Sequence, residues 1–572
     1  MSWFTDLPER LEYELQALTA CGFSYVLDEG RRLAGQIVLK VTVPVRGEDH
    51  TFTVVFPSSY PYFPFQVFAP TLKLERHQDP YSGLLCFVAQ IYTEWDANDT
   101  VASYLTTRLS DVLRANGEAG TVREAREGAP VTGQMTFGDN TVVMTGNWEL
   151  PLNCVQGALT LGLERGSDPN SVLRGAVLEV TGGDAEVFGS ADDHIAARYP
   201  ERLVGRWVRI ADKPRSNSAS DLIEQAASVA ADIRRPMFKG GPDIVGLVFR
   251  DEARFNEMHD LWVFIVRRRN RVISRDRKHR KIPGDSISSY LARADRGARD
   301  DLYERVPRLR PLADKKCLVV GLGALGSMVA WQLARAGIGQ LTLVDHDFVQ
   351  AGNMPRWIAG WNVAGVNKAL AVGSLIHECY PYVKTTCVRM RLGDPAPLDD
   401  RVAPNIDEQT VEEMLQGQDV VIDCTVEFTV HHFLSDTARK RNVPYIWASG
   451  TPGGWGGIVG RARPARELGC WQCFKRHQRD GRYPTPNAED VADVQPIGCF
   501  SPTFTGAGFD MDLISIQATR LAVSTLCAGD AGGYPDFEWD VAFANLWAGG
   551  RPVAGEWITD RLERHPECLL HE

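Results

Sequence analysis

The chain has no apolar stretch approaching the roughly 20 residues that a membrane-crossing helix needs, which excludes a helical membrane protein. It does not open like a secretory signal either, since Met1-Ser-Trp-Phe-Thr-Asp6 leads straight into a helical pattern. A basic excess is also missing. Lys and Arg number 62 against 73 Asp and Glu, and a net charge of -11 excludes general coating of nucleic acid. The 12 cysteines show no disulfide-framework spacing, so they read as reduced thiols of a cytoplasmic protein, some of them chemical. Residues from about 119 to 300 contain neither an internal repeat nor a catalytic motif.

Two segments do carry chemistry. In Leu318-Val-Val-Gly-Leu-Gly-Ala-Leu-Gly-Ser-Met-Val329, the apolar run from Cys317 reads as a buried parallel strand. Gly321, Gly323 and Gly326 permit a tight turn that brings backbone N–H groups to a phosphate at a helix N-terminus. The next strand, Gln340 to Val344, ends in Asp345-His-Asp347, where a ribose-binding carboxylate belongs. Asn353, Arg356 and Lys368 follow. A nicotinamide dinucleotide needs no such cations, whereas a triphosphate attacked at its α-phosphorus does. The pattern therefore favours adenylation over hydride transfer.

The 572 residues are too many for one core, and three parts are expected. Residues 1–118 read as a compact α+β unit, with a helix capped by Asp6, strands at Gln36 to Val43 and Thr51 to Phe56, and a last helix from Thr100 to Leu113. Residues 119–300 read as a mixed α+β middle part. It has a hairpin from Met135 to Trp148, several core strands, and a basic run from Arg267 to Lys281 that reads as a solvated linker or rim, with docking of an acidic protein or nucleotide as the alternative. Residues 301–572 alternate strand and helix, the mark of an α/β, doubly wound, mainly parallel sheet. Arg476 to Pro496 reads there as a long exposed loop, before a helix from Asp510 to Thr525.

The order of these features resembles the ThiF/MoeB-type adenylating enzymes, which include the ubiquitin-activating enzymes. The likeness covers roughly residues 301 to 530: the glycine loop, Asp345, Asn353, Arg356, Lys368, Val421-Ile-Asp-Cys-Thr425, the pair Cys470-Trp-Gln-Cys473, and Cys499 on a loop before a long helix. The resemblance implies activation of a protein's C-terminal glycine as an acyl-adenylate, using ATP and Mg²⁺, within a homodimer. It makes Cys499 the first thioester acceptor, with Cys473 its competitor, and Asp423 the metal ligand. The family's second aspartate is replaced by Val426, so Glu427 is the alternative ligand. The family's zinc site uses two Cys-x-x-Cys pairs. Only one is present, so Cys470 and Cys473 are expected to be buried residues without zinc.

The N-terminal part resembles ubiquitin-conjugating enzymes. Tyr60-Pro-Tyr-Phe-Pro64 is similar to their Tyr-Pro-x-x-Pro element, and His77-Gln-Asp-Pro-Tyr-Ser-Gly-Leu-Leu-Cys86 to their active-site approach. Cys86 is thereby implied as a thioester acceptor. Of the usual His-Pro-Asn only His77 is matched, and Gln78 or a residue from the flap after Cys86 is the candidate for the missing oxyanion donor.

The succession of conjugating, middle and activating parts resembles the fused proteins of bacterial anti-phage islands, notably CBASS operons. That resemblance implies a cGAS-like nucleotidyltransferase with a C-terminal glycine as the conjugated protein and a target amine, with neither membrane nor nucleic acid as partner. Two other readings stand beside it: a sulfur-carrier-activating enzyme whose N-terminal part only docks, and a binding protein with a degenerate ATP site.

Overall fold

The computed structural model describes residues 3–74, 76–87, 95–115, 131–146, 148, 150–164, 172–254, 257–275, 281–393, 407–465, 467–488 and 505–571. The chain forms two compact units, Met1–Gly297 and Ala298–Glu572.

In the first unit, helix α1 (Pro8–Ala20) starts on a proline, whose missing N–H costs nothing at that position. Asp6 does not cap it. It ends a separate helical turn, Trp3–Asp6, and the residue before Pro8 is Leu7. Strands β1 (Ser24–Leu27), β2 (Val38–Val45), β3 (Glu48–Val55) and β4 (Gln66–Phe68) form an antiparallel meander. Along β2, Leu39, Val41, Val43 and Val45 are buried while Lys40 and Pro44 face out, the two-residue period of a half-buried strand. Arg46 and Gly47 both take positive φ in the β2–β3 turn, which suits the right-handed strand twist. Helix α2 (Val101–Ala115) packs on α1.

The middle part is a second sheet. Its strands are β5 (Thr141–Met144), β6 (Gln156–Leu163), β7 (Arg174–Gly182), β8 (Val187–Ser190), β9 (Arg202–Arg209), β10 (Asp243–Arg254), β11 (Glu257–Arg275) and β12 (Lys281–Arg296). Their order is β5-β12-β11-β10-β9-β6-β7-β8, and β5 also pairs with the first half of β7, closing the sheet on itself. Tryptophans 207 and 262 fill one side, and helix α3 (Ala219–Ala227) covers the other. The expected hairpin from Met135 to Trp148 is not formed. Asn140 does make the turn, but Met135 and Phe137 go into the core and β5 pairs in parallel with β12 and β7. Nor is the basic run a linker: Arg267 to Arg275 belong to β11 and pair with Lys281 to Ser289 of β12.

The second unit has parallel strands β13 (Lys316–Val320), β14 (Gln340–Val344), β15 (Lys384–Val388), β16 (Val420–Asp423) and β17 (Tyr445–Gly450), in the order β15-β14-β13-β16-β17. Antiparallel β18 (Gly456–Ala462), β19 (Val541–Ala548) and β20 (Arg551–Asp560) extend it. Helices α4 (Ala324–Arg335), α5 (Lys368–Cys379) and α9 (Gly508–Leu526) bury one face; α6 (Asp407–Leu415), α7 (Phe428–Lys440) and α8 (Trp471–Arg479) bury the other. Helix α8 occupies the start of the segment expected as a loop from Arg476, because Trp471, Cys473, Phe474 and His477 all find burial on one face; residues 489–496 of that segment lie outside the described residues. The strand order reverses about β13, which puts a crevice at the carboxyl ends of β13 and β16. Among the described residues no helix is long and apolar enough to cross a membrane.

Candidate functional site

At that crevice the three glycines do three different things. Gly321 has a φ of +80°, and a Cβ there would lie 2.8 Å from the Thr425 nitrogen, so the loop can abut the end of β16 only as glycine. A Cβ on Gly326 would come within 1.8 Å of the Gly321 carbonyl oxygen; this glycine lets α4 press on the strand. Gly323 is the N-cap of α4, and a Cβ there would meet nothing within 4 Å, leaving open space at a helix N-terminus, the kind of place that suits an anion. Gly326→Ala is therefore expected to destabilise the fold by about 3 kcal/mol. Gly323→Ala should leave the melting temperature unchanged and weaken nucleotide binding only. Paired thermal melts and nucleotide titrations check the contrast.

Asp345 sits at the end of β14, nearly buried. Its carboxylate accepts from the Leu322 N–H at 2.6 Å and the Asp347 N–H at 2.8 Å, so it holds the glycine loop in place. The Asn353 side-chain amide oxygen accepts from the Gln350 N–H at 2.9 Å and ties down the turn Ala351–Arg356. Arg356 ends that turn half-buried, and burial lowers its guanidinium pKa. Lys368 opens α5 and its ammonium lies 2.6 Å from Asp347. Burial works to raise the Asp347 carboxyl, but the Lys368 hydrogen bond and charge outweigh it and the net shift is downward. A depressed carboxylate contributes stability above its unfolded value and loses it as pH falls through the folded one. The melting-temperature deficit of Asp347→Asn should thus be present at pH 7 and shrink once an acid series falls below the ordinary aspartate value of about 3.9.

Asn367 was not anticipated. It caps α5 by accepting from Ala369 and Leu370, and its amide nitrogen donates to the carbonyl oxygens of Asp345 and Asp347, joining the helix to the acidic loop. An asparagine before an apolar helical run is a cap signal that could have revealed it.

The structure does not present Asp423 as a metal ligand. It is fully buried, with one oxygen accepting from the Thr425 N–H and hydroxyl and the other from the Tyr445 hydroxyl, 3.0 Å from His431 Nδ1. Its lone pairs are spent inside the protein. Val426, at the position of the family's second aspartate, is exposed with a φ of 63°, a conformation that strains a β-branched residue. Glu427 is exposed beside it, at the N-cap of α7.

Cys499 lies outside the described residues. Its competitor Cys473 is fully buried, within a cluster that changes the reading of the Cys-x-x-Cys pair. Cys470, Cys473, Cys568 and His571 place their ligand atoms within 4.8 Å of one another, all buried. Cys470 Sγ is 3.8 Å from Cys473 Sγ and 3.7 Å from Cys568 Sγ, and Cys473 Sγ is 3.2 Å from His571 Nε2. Sulfurs held tetrahedrally on a zinc ion would be about 3.7 Å apart. The Cys470 hydrogen bond lowers the Cys473 thiol pKa, which gives it the thiolate character a metal ligand needs. The donor set fits zinc. The expectation that Cys470 and Cys473 lack further ligands is corrected: the missing two come from the end of the chain, one of them a histidine.

Cys86 is exposed, at the end of a small hairpin. Its N–H donates to the His77 carbonyl at 2.8 Å, Gln78 bridges Leu85, and Gly83 makes the turn at a φ of 73°, where a Cβ would strike the Pro70 backbone. The glycine three residues before the cysteine is thus required by a close approach. Gln78 is held at both ends of its amide, accepting from the Leu74 N–H and donating to the Ala69 carbonyl, each at 2.8 Å. This fixes it to its own loop and does not suit it to the oxyanion role.

A model of the ThiF family matches residues 302–531, and a model of Prokaryotic E2 family B matches residues 28–126. The chain is 30% identical to the uncharacterized protein y4qC of Sinorhizobium fredii, over 97% of this chain and 95% of that one. It is 27% identical to the ATP-dependent ubiquitin transferase-like protein Cap2 of Enterobacter hormaechei, over 41% of this chain and 37% of Cap2. With the sulfur carrier protein ThiS adenylyltransferase of Escherichia coli it shares 30% identity, over 32% and 67%. A nucleotide crevice with cations in one unit and an exposed cysteine on a conjugating-type loop in the other make this an ATP-dependent activating and conjugating enzyme, and the chain belongs to the bacterial family that joins a prokaryotic E2 family B domain to a ThiF adenylation domain.

Proposed function

We propose that the chain runs a two-thioester relay on a protein ending in glycine. The C-terminal carboxylate attacks the α-phosphorus of ATP and expels pyrophosphate. Arg356 and Lys368 offset the phosphate charge there, and Mg²⁺, where bound, neutralises more of it. The Cys499 thiolate attacks the acyl-adenylate and expels AMP. The Cys86 thiolate then takes the acyl group by thioester exchange, and a target amine attacks the carbonyl, releasing Cys86 and a proton. The parts doing this are residues 1–118 for conjugation, 119–300 as a middle part and 301–572 for activation, working as a cytoplasmic homodimer. The Cys470, Cys473, Cys568 and His571 cluster holds a structural zinc ion. The acyl donor is a cGAS-like nucleotidyltransferase primed for anti-phage defence, a reading that rests on the order of the three parts; the similarity to Cap2 supports the ubiquitin-transferase-like chemistry.

The observation that carries the relay is Cys86: an exposed thiol at the end of a built hairpin, in a chain that also has the adenylation crevice. Expression of Cys86→Ser in the native host tests it, because an oxygen ester outlives a thioester. A protein joined through its C-terminal glycine to residue 86 is the expected finding by mass spectrometry. An unmodified serine beside active ATP–pyrophosphate exchange favours the second reading, sulfur-carrier activation, for which the ThiS adenylyltransferase similarity speaks.

A further inference from the structure

The hairpin bearing Cys86 does not stand on the conjugating-type fold alone. Tyr81, in its turn, packs half-buried against the apolar cluster on the α3-covered face of the middle sheet, and its hydroxyl donates to the Pro214 carbonyl at 3.2 Å. Arg76, just before His77, forms an ion pair with Glu252 at the end of β10, both side chains largely buried. Between the two parts lies a cavity of about 1590 Å³. Cys86, His77 and Phe65 line it from one side, and Lys213, Glu252 and Met258 from the other. The volume exceeds what a single small ligand fills and suits an extended peptide.

Lys213 is fixed there by an unusual anchor. Its ammonium lies 2.5 Å from Asp251, which is fully buried and also accepts from the Val131 N–H at 2.7 Å and the Glu252 N–H at 2.8 Å. The lysine side chain is itself 54% exposed. One ammonium N–H answers the carboxylate, and two more are on offer. The conjugating-enzyme pattern assigns oxyanion support to an asparagine that is absent here, Gln78 is held in its own loop, and the Cys86 N–H is spent on His77.

We propose that the middle barrel is one wall of the thioester site, and that Lys213, steadied by Asp251, donates hydrogen bonds to the carbonyl oxygens of a glycine-ended peptide tail acylated on Cys86. The inference rests on Cys86 as a thioester acceptor. During discharge the amine nitrogen bonds to the thioester carbon, the carbonyl oxygen takes the negative charge, and the C–S bond then breaks to return the thiolate while the amine's proton passes to solvent. An ammonium on that oxygen favours the charged state over the thioester.

The test uses the full chain and a synthetic hexapeptide ending in Gly-Gly as a small-molecule thioester. This donor exchanges onto Cys86 without ATP or Cys499. Intact mass with peptide mapping reads acylation of Cys86, and its decay in free lysine reads discharge. Lys213→Met should slow discharge about 10²-fold when assayed below its melting transition, and Lys213→Arg should restore most of the rate. Discharge of Lys213→Met at the wild-type rate overturns this inference and leaves the acceptor reading intact. Failure of the wild-type chain to acylate at Cys86 overturns both. Equal slowing in the arginine and methionine variants also overturns it, since the donor role predicts rescue.

Discussion

A Cys86→Ala chain is expected to exchange pyrophosphate into ATP at the wild-type rate while conjugate formation falls by about 10³-fold or more. The asymmetry follows from where the groups are. The glycine loop, Arg356 and Lys368 belong to Ala298–Glu572, whereas Cys86 belongs to Met1–Gly297 and is exposed, so loss of one sulfur removes no packing that the adenylation crevice needs. Both readouts are required. Radiolabelled pyrophosphate exchange follows the first half-reaction, and mass spectrometry of products follows the last. Conjugate made at an undiminished rate would sink the assignment of Cys86, and loss of exchange as well would show that the substitution had damaged more than the thiol.

The second large effect concerns the metal cluster. Purified wild-type chain is expected to carry about one zinc per chain, and Cys568→Ala to lose it along with about 4 kcal/mol, a fall of roughly 8–16 °C in the melting transition. The cluster joins α8 to the last turn of the chain, Leu569–His571, across 98 residues of sequence, so removing one ligand frees both ends of that loop. Elemental analysis and calorimetry with and without chelator measure it. A metal-free wild-type chain, or a melting curve indifferent to chelator, would rule out the zinc.

What could be read from the residues depended on how local each determinant is. The alternation in β2, the glycine loop and the nearness of Lys368 to Asp347 are short-range patterns, and the folded chain shows each: β2 is half-buried, the glycine loop abuts the end of β16, and the Lys368 ammonium lies beside Asp347. The hairpin from Met135 misled because its turn is real while its partners, β12 and β7, are distant in sequence. Arg267 to Arg275 look like a solvated run, yet pairing with β12 makes them strand, and Arg267 is buried against Asp243. Asp423 sits in the right motif but is spent on Thr425 and Tyr445, a burial no spacing could announce. His571 was missed because only a second cysteine pair was sought; a Cys-x-x-His at the chain end was there to be found.

The anchoring of Tyr81 in the middle barrel bears on how such a chain can be inherited. A segment that ended at residue 118 would carry Cys86 and its hairpin but strand an aromatic ring in water and leave Arg76 without Glu252. The conjugating part and the barrel are therefore expected to be inherited together. Recombination that exchanged one for a foreign counterpart would have to rebuild the Tyr81 socket before selection could favour it.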